Sequence, residues 1–549
     1  MDKRLVWTVL FIGLFFTVCV MQWSFRLGRL SMDPVYDDVE YLLDARQRLD
    51  RFDQKGIVGL AWSLWRDPPH SPWSTLAAFS GFVVFGVHPW APYAINVVLV
   101  IAFILAADYF FGVKSFWAGV TMSLAMLALP MTLRAVHDFR PDFAVALATA
   151  FACLTTIRLG LPGPHRQGVW QRYLGAGMLF GSAYLIKPSF VYHTTAMLLV
   201  SLLLSEVVRL LFTSERGGVW FRLYAGLPSR TGSFLAGCFV ISGMYYLRAW
   251  KGVVTYVATN TGSGSDANLW RTTGGVWGTF KEYVFSGSMA QMLGPFLWLL
   301  LAVTAAGLVF NLMRKEWKNV AVLSAGLLCS AASLGVMCIA EHRNEFFGLT
   351  WQMLLAFSAI SALGTLSPSS LLRSGVVFFA LATGLIKAFG PHGPTFWQPQ
   401  TDALVSRSLN KALIKRFEQL GPVIPDSLSR NLPIIYVAFA GAVESETQRW
   451  LAEDEKYRAQ FFNLHRSGNL EEHRQMIAAA NIVEIASANA AWLYTFLPSA
   501  ALQKDLLAMM RNDPLFVELA PVRGTDGKVY LFARKATFQF EERAARAVD

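Results

Sequence analysis

Three stretches of this chain, Leu5–Phe25, Phe116–Leu133 and Val320–Ala340, carry no charged side chain. Each is long enough to cross a hydrocarbon core of ~30 Å as a helix. Inside lipid every backbone N–H and C=O must find its partner within the protein, and a helix satisfies all of them locally. The same pattern recurs along the chain. Apolar residues make up 54% of it and charged residues only 15%, against about 25% in a soluble domain. The expected spans are 5–25, 90–112, 115–135, 142–160, 173–189, 190–211, 232–249, 291–312, 319–339, 349–366 and 375–391. The fold class is therefore a polytopic α-helical membrane protein with about eleven transmembrane helices. Met1–Arg4 and the apolar run after it resemble a signal peptide, but Gln22-Trp23-Ser24-Phe25-Arg26 offers no small-residue cleavage site, so the first span is read as retained.

The basic residues give the sides. Arg158, Arg166 and Arg172 fall in one loop, Arg209, Arg216, Arg222 and Arg230 in a second, and Arg314, Lys315 and Lys318 in a third. If these loops are cytoplasmic, parity places Met1 inside, provided that the short apolar segment Pro72–Val87 does not cross. That segment then reads as a juxtamembrane or re-entrant helix. Loops 26–89, 136–141, 187–188, 250–290 and 340–348 lie outside, as does everything after about 392. The expected location is a bacterial inner membrane with a periplasmic C-terminal domain. The net charge of +11 does not indicate nucleic acid. Residues 1–392 hold 30 basic and 19 acidic residues, whereas 393–549 hold 18 of each, so the excess belongs to the membrane-flanking loops. The five cysteines form no CxxC pair and sit in apolar stretches, which indicates neither a disulfide framework nor a zinc site.

Two domains are expected: a membrane domain over 1–392, including a first outer loop at 26–89, and a small α/β domain over 393–549. In the latter, Pro433–Ala440 and Asn481–Ser487 read as strands. Glu444–Leu451, Leu470–Ala480 and Ala501–Arg511 read as helices, and Phe516–Val522 with Lys528–Arg534 as a hairpin around Thr525-Asp526-Gly527. There is no Walker loop and no internal repeat.

Ionisable residues of functional character gather in the outer loops. Asp37, Asp38 and Glu40 follow the first span; acids there are either functional or simply complement a helix N-terminus. His70 lies among prolines that lead into the short apolar segment. His137-Asp138-Phe139-Arg140-Pro141-Asp142 packs four ionisable groups into a six-residue connection. Lys187-Pro188 closes one span, where a lysine either binds an anion or snorkels to the interface. Glu341-His342-Arg343-Asn344-Glu345 is a further dense loop. Together they suggest an outward pocket with acids for base chemistry and cations for a phosphate.

At these residues the chain resembles the GT-C superfamily of membrane glycosyltransferases, in the group of lipid A aminoarabinose transferases and protein O-mannosyltransferases. Asp37-Asp38-x-x-Tyr41 is similar to the family's first-loop acidic pair. His70-x-Pro72 resembles its His-Pro-Pro juxtamembrane helix, Arg140-Pro141-Asp142 its second acidic motif, and Leu185-Ile186-Lys187-Pro188 its lysine motif. The resemblance implies inverting transfer of a sugar from a polyprenyl-phosphate carrier to a hydroxyl of a glycan, glycolipid or protein acceptor, without a cofactor. It implies Asp37 as base supported by Asp38, with Asp142 as a second acid, and His70, His137, Arg140, Lys187, His342 and Arg343 as donor-phosphate or substrate contacts. No metal is favoured, although Asp37, Asp38 and Glu40 are of the ligand type that holds Mg²⁺ or Mn²⁺. A lipid or solute transporter, a polysaccharide ligase or polymerase, and a scaffold protein stand as alternative readings.

Overall fold

The computed structural model describes residues 3–35, 37–112, 116–161, 169–212, 227–260, 267–286, 290–341, 345–366, 400–420, 432–441, 443–454, 457, 459–490, 492–524 and 527–535. By compactness the chain divides into two units, Met1–Gln22 with Asp44–Thr395, and Trp23–Leu43 with Phe396–Asp549.

The first unit is helical. Its elements are α1 (Lys3–Leu27), α2 (Asp37–Arg66), α3 (Pro72–Phe85), α4 (Ala91–Ile95), α5 (Val97–Phe111), α6 (Phe116–Leu127), α7 (Pro130–His137), α8 (Asp142–Leu159), α9 (Val169–Ile186) and α10 (Val191–Phe212), followed by α11 (Leu227–Asn260), α12 (Ala267–Trp270), α13 (Gly275–Val284), α14 (Phe296–Met313), α15 (Trp317–Ile339) and α16 (Leu349–Thr365). Both α1 and α2 run across a boundary between the units. Seven described helical segments are long and apolar enough to span a membrane: Lys3–Leu27, Ala91–Phe111, Asp142–Leu159, Pro188–Phe212, Phe296–Met313, Trp317–Ile339 and Phe346–Thr365. The pair α6 and α7 makes an eighth, bent by 68°. Pro130 opens α7 and supplies no N–H to the preceding turn, which is the physical cause of that break. Two further expected spans coincide with α9 and α11, and 375–391 lies outside the described residues. α3 is apolar but only 14 residues long, too short to cross. Ser71 caps it by accepting from the Ser74 N–H, Pro72 takes its first turn, and Gly86 at φ 83 ends it.

Packing follows from small residues. A Cβ at Gly177 of α9 would strike the Phe234 carbonyl of α11, and one at Gly237 would strike the Leu174 carbonyl, so glycine sets how closely these helices approach. The segment containing α16 is 89% buried, against 33% for α1, so α16 is the central staff of this unit. It packs against α5, α8, α14 and α15.

The second unit is a layered α/β domain. Its elements are α17 (Gln400–Leu420), β1 (Ile434–Val437), α18 (Ser445–Asp454), β2 (Gln460–Asn463), α19 (Leu470–Ala479), β3 (Ile482–Ala486), α20 (Pro498–Ala501), α21 (Gln503–Arg511), β4 (Phe516–Glu518), β5 (Val522–Gly524) and β6 (Gly527–Arg534). The strand order is β2-β1-β3-β6-β4, with β5 paired to β6. β1 runs parallel to β2 and β3, while β6 is antiparallel to β3, β4 and β5. Successive side chains point to opposite faces. Ile435, Val437, Ile482 and Ala486 pack with Leu409, Leu413 and Phe417 of α17, while Tyr436, Val483 and Ile485 pack with Ile477, Leu506 and Met510 of α19 and α21. Most expected elements lie where the pattern put them. The hairpin turn Thr525-Asp526 lies outside the described residues. The helix α17, the edge strand β2 and the one-turn helix α20 escaped the pattern, and the single strand expected over Phe516–Val522 is two, β4 and β5, each paired with β6.

Glu484, in the middle of the central strand, is fully buried and accepts a 2.8 Å hydrogen bond from Gln448 of α18. Burial pushes its carboxyl up to about 8, against the smaller opposing effect of that bond. The folded state thus holds a proton that the unfolded chain releases near 4.5. This group's contribution to stability is greatest at low pH and is lost as pH rises from about 4.5 to about 8, by a few kcal/mol. In Glu484→Gln, stability of the full chain should fall less over pH 5–8 than in the unsubstituted protein. Equal slopes in thermal unfolding would show that Glu484 does not titrate in this window.

Candidate active site: a buried ion pair, a cationic cluster and an acidic loop

In the helical unit, Lys187 sits where Pro188 terminates α9, and Asp142 opens α8. The Lys187 Nζ donates to Asp142 Oδ1, with the two side chains only 11% and 5% exposed. Nζ also lies 4.3 Å from the centre of the Phe347 ring and 5.6 Å from that of Phe190. A snorkelling lysine extends to water; this one turns inward to a carboxylate. Val145 and Ala183, about one helical turn from Asp142 and Lys187 along α8 and α9, pack with Phe190, Tyr283 and Met337 in one buried apolar cluster. Ser71, the cap of α3, donates to the Ile186 carbonyl at 2.8 Å and so ties the short helix to the turn bearing Lys187.

Between α7 and α8 a second cluster centres on Asp138. Arg134 Nε lies 2.5 Å from one of its oxygens, and His137 Nδ1 lies 2.9 Å from the other. Burial raises the Asp138 carboxyl, but the charges of Arg134, His137 and Arg140 outweigh it and hold the group well below the usual carboxylate range. An ionised Asp138 can only accept, so the His137 ring carries its proton on Nδ1. Both guanidiniums stack on Phe346, Arg134 at 4.9 Å and Arg140 at 4.6 Å. The turn Glu345–Gly348 thereby places adjacent rings under two cationic centres, Phe346 below the arginines and Phe347 below Lys187. His70 is exposed and its ring lies tilted against Tyr256, with centroids 4.7 Å apart, and the neighbouring Pro69 carbonyl accepts from Tyr245 at 2.9 Å. Glu341 pairs with Arg271 at 2.7 Å. His342 and Arg343 lie outside the described residues.

The acidic pair belongs to the other unit. Asp37 starts α2 and is exposed, whereas Asp38 is buried and paired with Arg29 at 3.1 Å. Arg29 also donates to the Val35 carbonyl. Glu40 reaches solvent from a recess; burial first, then the negative charges of Asp37 and Glu446, push its carboxyl up to about 7, with Arg466 opposing. The structure thus brings Asp142 to Lys187, and His137 and Arg140 to one centre. Arg29, Arg134, Phe346 and Phe347 enter as partners that motif reading passed over, and Asp138, one of the ionisable groups of the 137–142 connection, becomes the centre of its cluster. Of these only Arg134 with Asp138, at i and i+4 on one helical face, had a local signal.

Among the described residues, no group of three or more His, Cys, Asp or Glu is placed to hold a metal ion. The helical bundle with its spanning segments and short apolar helix, together with the small sheet domain, defines a multi-pass membrane protein. The fold is shared with ArnT from Cupriavidus metallidurans in the apo state, at 14% identity and TM-score 0.53, covering 96% of this chain and 98% of that one. It is shared equally with ArnT from the same organism bound to undecaprenyl phosphate, at 13% identity and TM-score 0.52 over the same shares of both chains. At such identity the likeness is one of fold. No family model and no curated protein matches the sequence.

Proposed function

We propose that this chain is an inverting glycosyltransferase that moves a sugar from a polyprenyl-phosphate carrier to a hydroxyl of a cell-envelope acceptor (lipid A, a polysaccharide or a protein) on the outer face of the inner membrane. The observation that carries this reading is the buried Lys187–Asp142 pair at helix ends, beside the cluster of Arg134, His137 and Arg140, within a fold shared with a protein that binds undecaprenyl phosphate. Cations held in a low-dielectric wall are what a departing lipid phosphate requires.

Asp37 takes the acceptor's hydroxyl proton as that oxygen attacks the anomeric carbon. The bond from that carbon to the phosphate oxygen breaks, and the lipid phosphate leaves with the electron pair. Asp38, its charge already engaged by Arg29, supports the helix start that presents Asp37. Lys187 and Arg343 take the phosphate, with Arg140, His70, His137 and His342 around it, and Asp142 orients Lys187. No step calls for a metal. The domain over 393–549 lies on the outer side with loop 26–89.

The test is purified full-length protein with a panel of polyprenyl-phosphate sugars and candidate acceptors, with free polyprenyl phosphate detected by mass. Release that depends on acceptor supports the reading; no release from any donor overturns it. Reporter fusions after Arg66 and after Trp90 should both read as outside, and opposite sides would overturn the orientation.

A further inference from the structure

The segment that leads into the acidic pair makes its polar contacts with the C-terminal domain. Residues 32–35 have no regular structure, so their backbone carbonyls need side-chain donors. Those donors come from α17 and α18. Arg407 donates to the Leu30 carbonyl at 3.2 Å and to that of Met32 at 3.5 Å. Asn410 Nδ2 donates to Asp33 Oδ2 at 3.0 Å, and Thr447 Oγ1 to the Pro34 carbonyl at 2.6 Å. Asn410 and Thr447 are fully buried. From Val35 the connection continues through Arg29, which binds the Val35 carbonyl and the Asp38 carboxylate together. Every carbonyl from Leu30 to Val35 named here is thus engaged, and α2 begins two residues later with Asp37.

We propose that the C-terminal domain is a clamp on the Asp37–Asp38 loop, with Thr447 and Asn410 as positioning residues. The domain is then part of the catalytic apparatus rather than an appended module. A loop held at the carbonyls of Leu30, Met32 and Pro34 and at the Asp33 carboxylate presents the first residue of α2 in one place, and a base must be placed to within a fraction of an ångström to be effective. The kinetic half of this inference rests on the role given to Asp37 above; the structural half does not.

The experiment compares full-length Thr447→Val, Thr447→Ser and Asn410→Leu by hydrogen exchange and by turnover. Thr447→Val keeps the β-branched shape and removes the donor; Thr447→Ser keeps the donor. Losing one buried hydrogen bond while its acceptor stays buried should speed exchange at residues 28–38 by about 5–100-fold in the Val and Leu variants. The Ser variant should match the unsubstituted protein, and β1 and β3 should not change. Turnover should fall about tenfold or more in the same two variants, with the donor KM unchanged. Unchanged exchange at 28–38 overturns the clamp, as does a rise spread over β1 and β3. Faster exchange at 28–38 with full turnover overturns the positioning role. If the unsubstituted protein transfers no sugar, the proposed function fails while the exchange arm still decides the clamp.

Discussion

Asp37→Asn is expected to lower turnover by about 10²–10⁴-fold, the range a positioned general base contributes, while the protein still inserts and purifies. The substitution preserves shape and removes basicity. The structure separates the two neighbouring acids: Asp37 is exposed at the start of α2, whereas Asp38 is 3% exposed and its charge is committed to Arg29. Asp38→Asn should therefore behave differently. It leaves the buried Arg29 guanidinium without its counter-charge, and breaking a buried pair from one side costs about 3–5 kcal/mol of stability. The pH profile supplies a second reading of Asp37. Its charge is one of the causes that raise Glu40, so in Asp37→Asn the Glu40 carboxyl should titrate lower. Near-normal turnover in Asp37→Asn, measured as free polyprenyl phosphate released, would move the base role to Asp38 or Asp142.

Lys187→Gln is expected to have two separable effects. It strands Asp142, 5% exposed, without a cation, at a cost of about 3–5 kcal/mol in thermal unfolding. It also removes a charge-assisted hydrogen bond to the donor, worth roughly 1.5–3 kcal/mol, or about 10–150-fold in affinity or rate. The double substitution Asp142→Asn with Lys187→Gln removes both charges at once. Because the two residues touch, their effects should not add. The double variant should regain most of the lost stability and none of the lost donor affinity. If it is as unstable as the two single losses combined, the pair does not form in the folded protein. If Lys187→Gln keeps full activity at subsaturating donor, the lysine does not contact the donor, and its role is to neutralise Asp142.

Local chemistry determined the elements. Uncharged runs became helices because lipid leaves a backbone no other way to satisfy its polar groups. Pro72 and Gly86 bound a helix too short to cross, and the short apolar run over Ile482–Ala486, broken only by Glu484, marked a strand that is buried throughout. β2 escaped because it is an edge strand whose sequence, Gln460-Phe461-Phe462-Asn463, has two adjacent aromatics and no clean alternation, with a half-exposed pattern that only its partner β1 explains. The grouping of Trp23–Leu43 with the C-terminal domain was also hidden, since the carbonyls of that loop are answered by donors 377 and 413 residues away. The candidate site divides in the same way. Its acids and cations were legible as residue types too dense for plain loops. Which of them pair was not: Asp142 meets Lys187 across 45 residues, and Phe346 lies under Arg134 and Arg140 from a turn some 200 residues downstream. The physical reason is desolvation. A buried charge must be compensated by whatever the folded chain brings within a few ångströms, and periodicity along a sequence holds no record of that distance. Tertiary structure alone decided that Lys187 faces a carboxylate rather than water, and that Asp38 is buried against Arg29 while Asp37 is exposed.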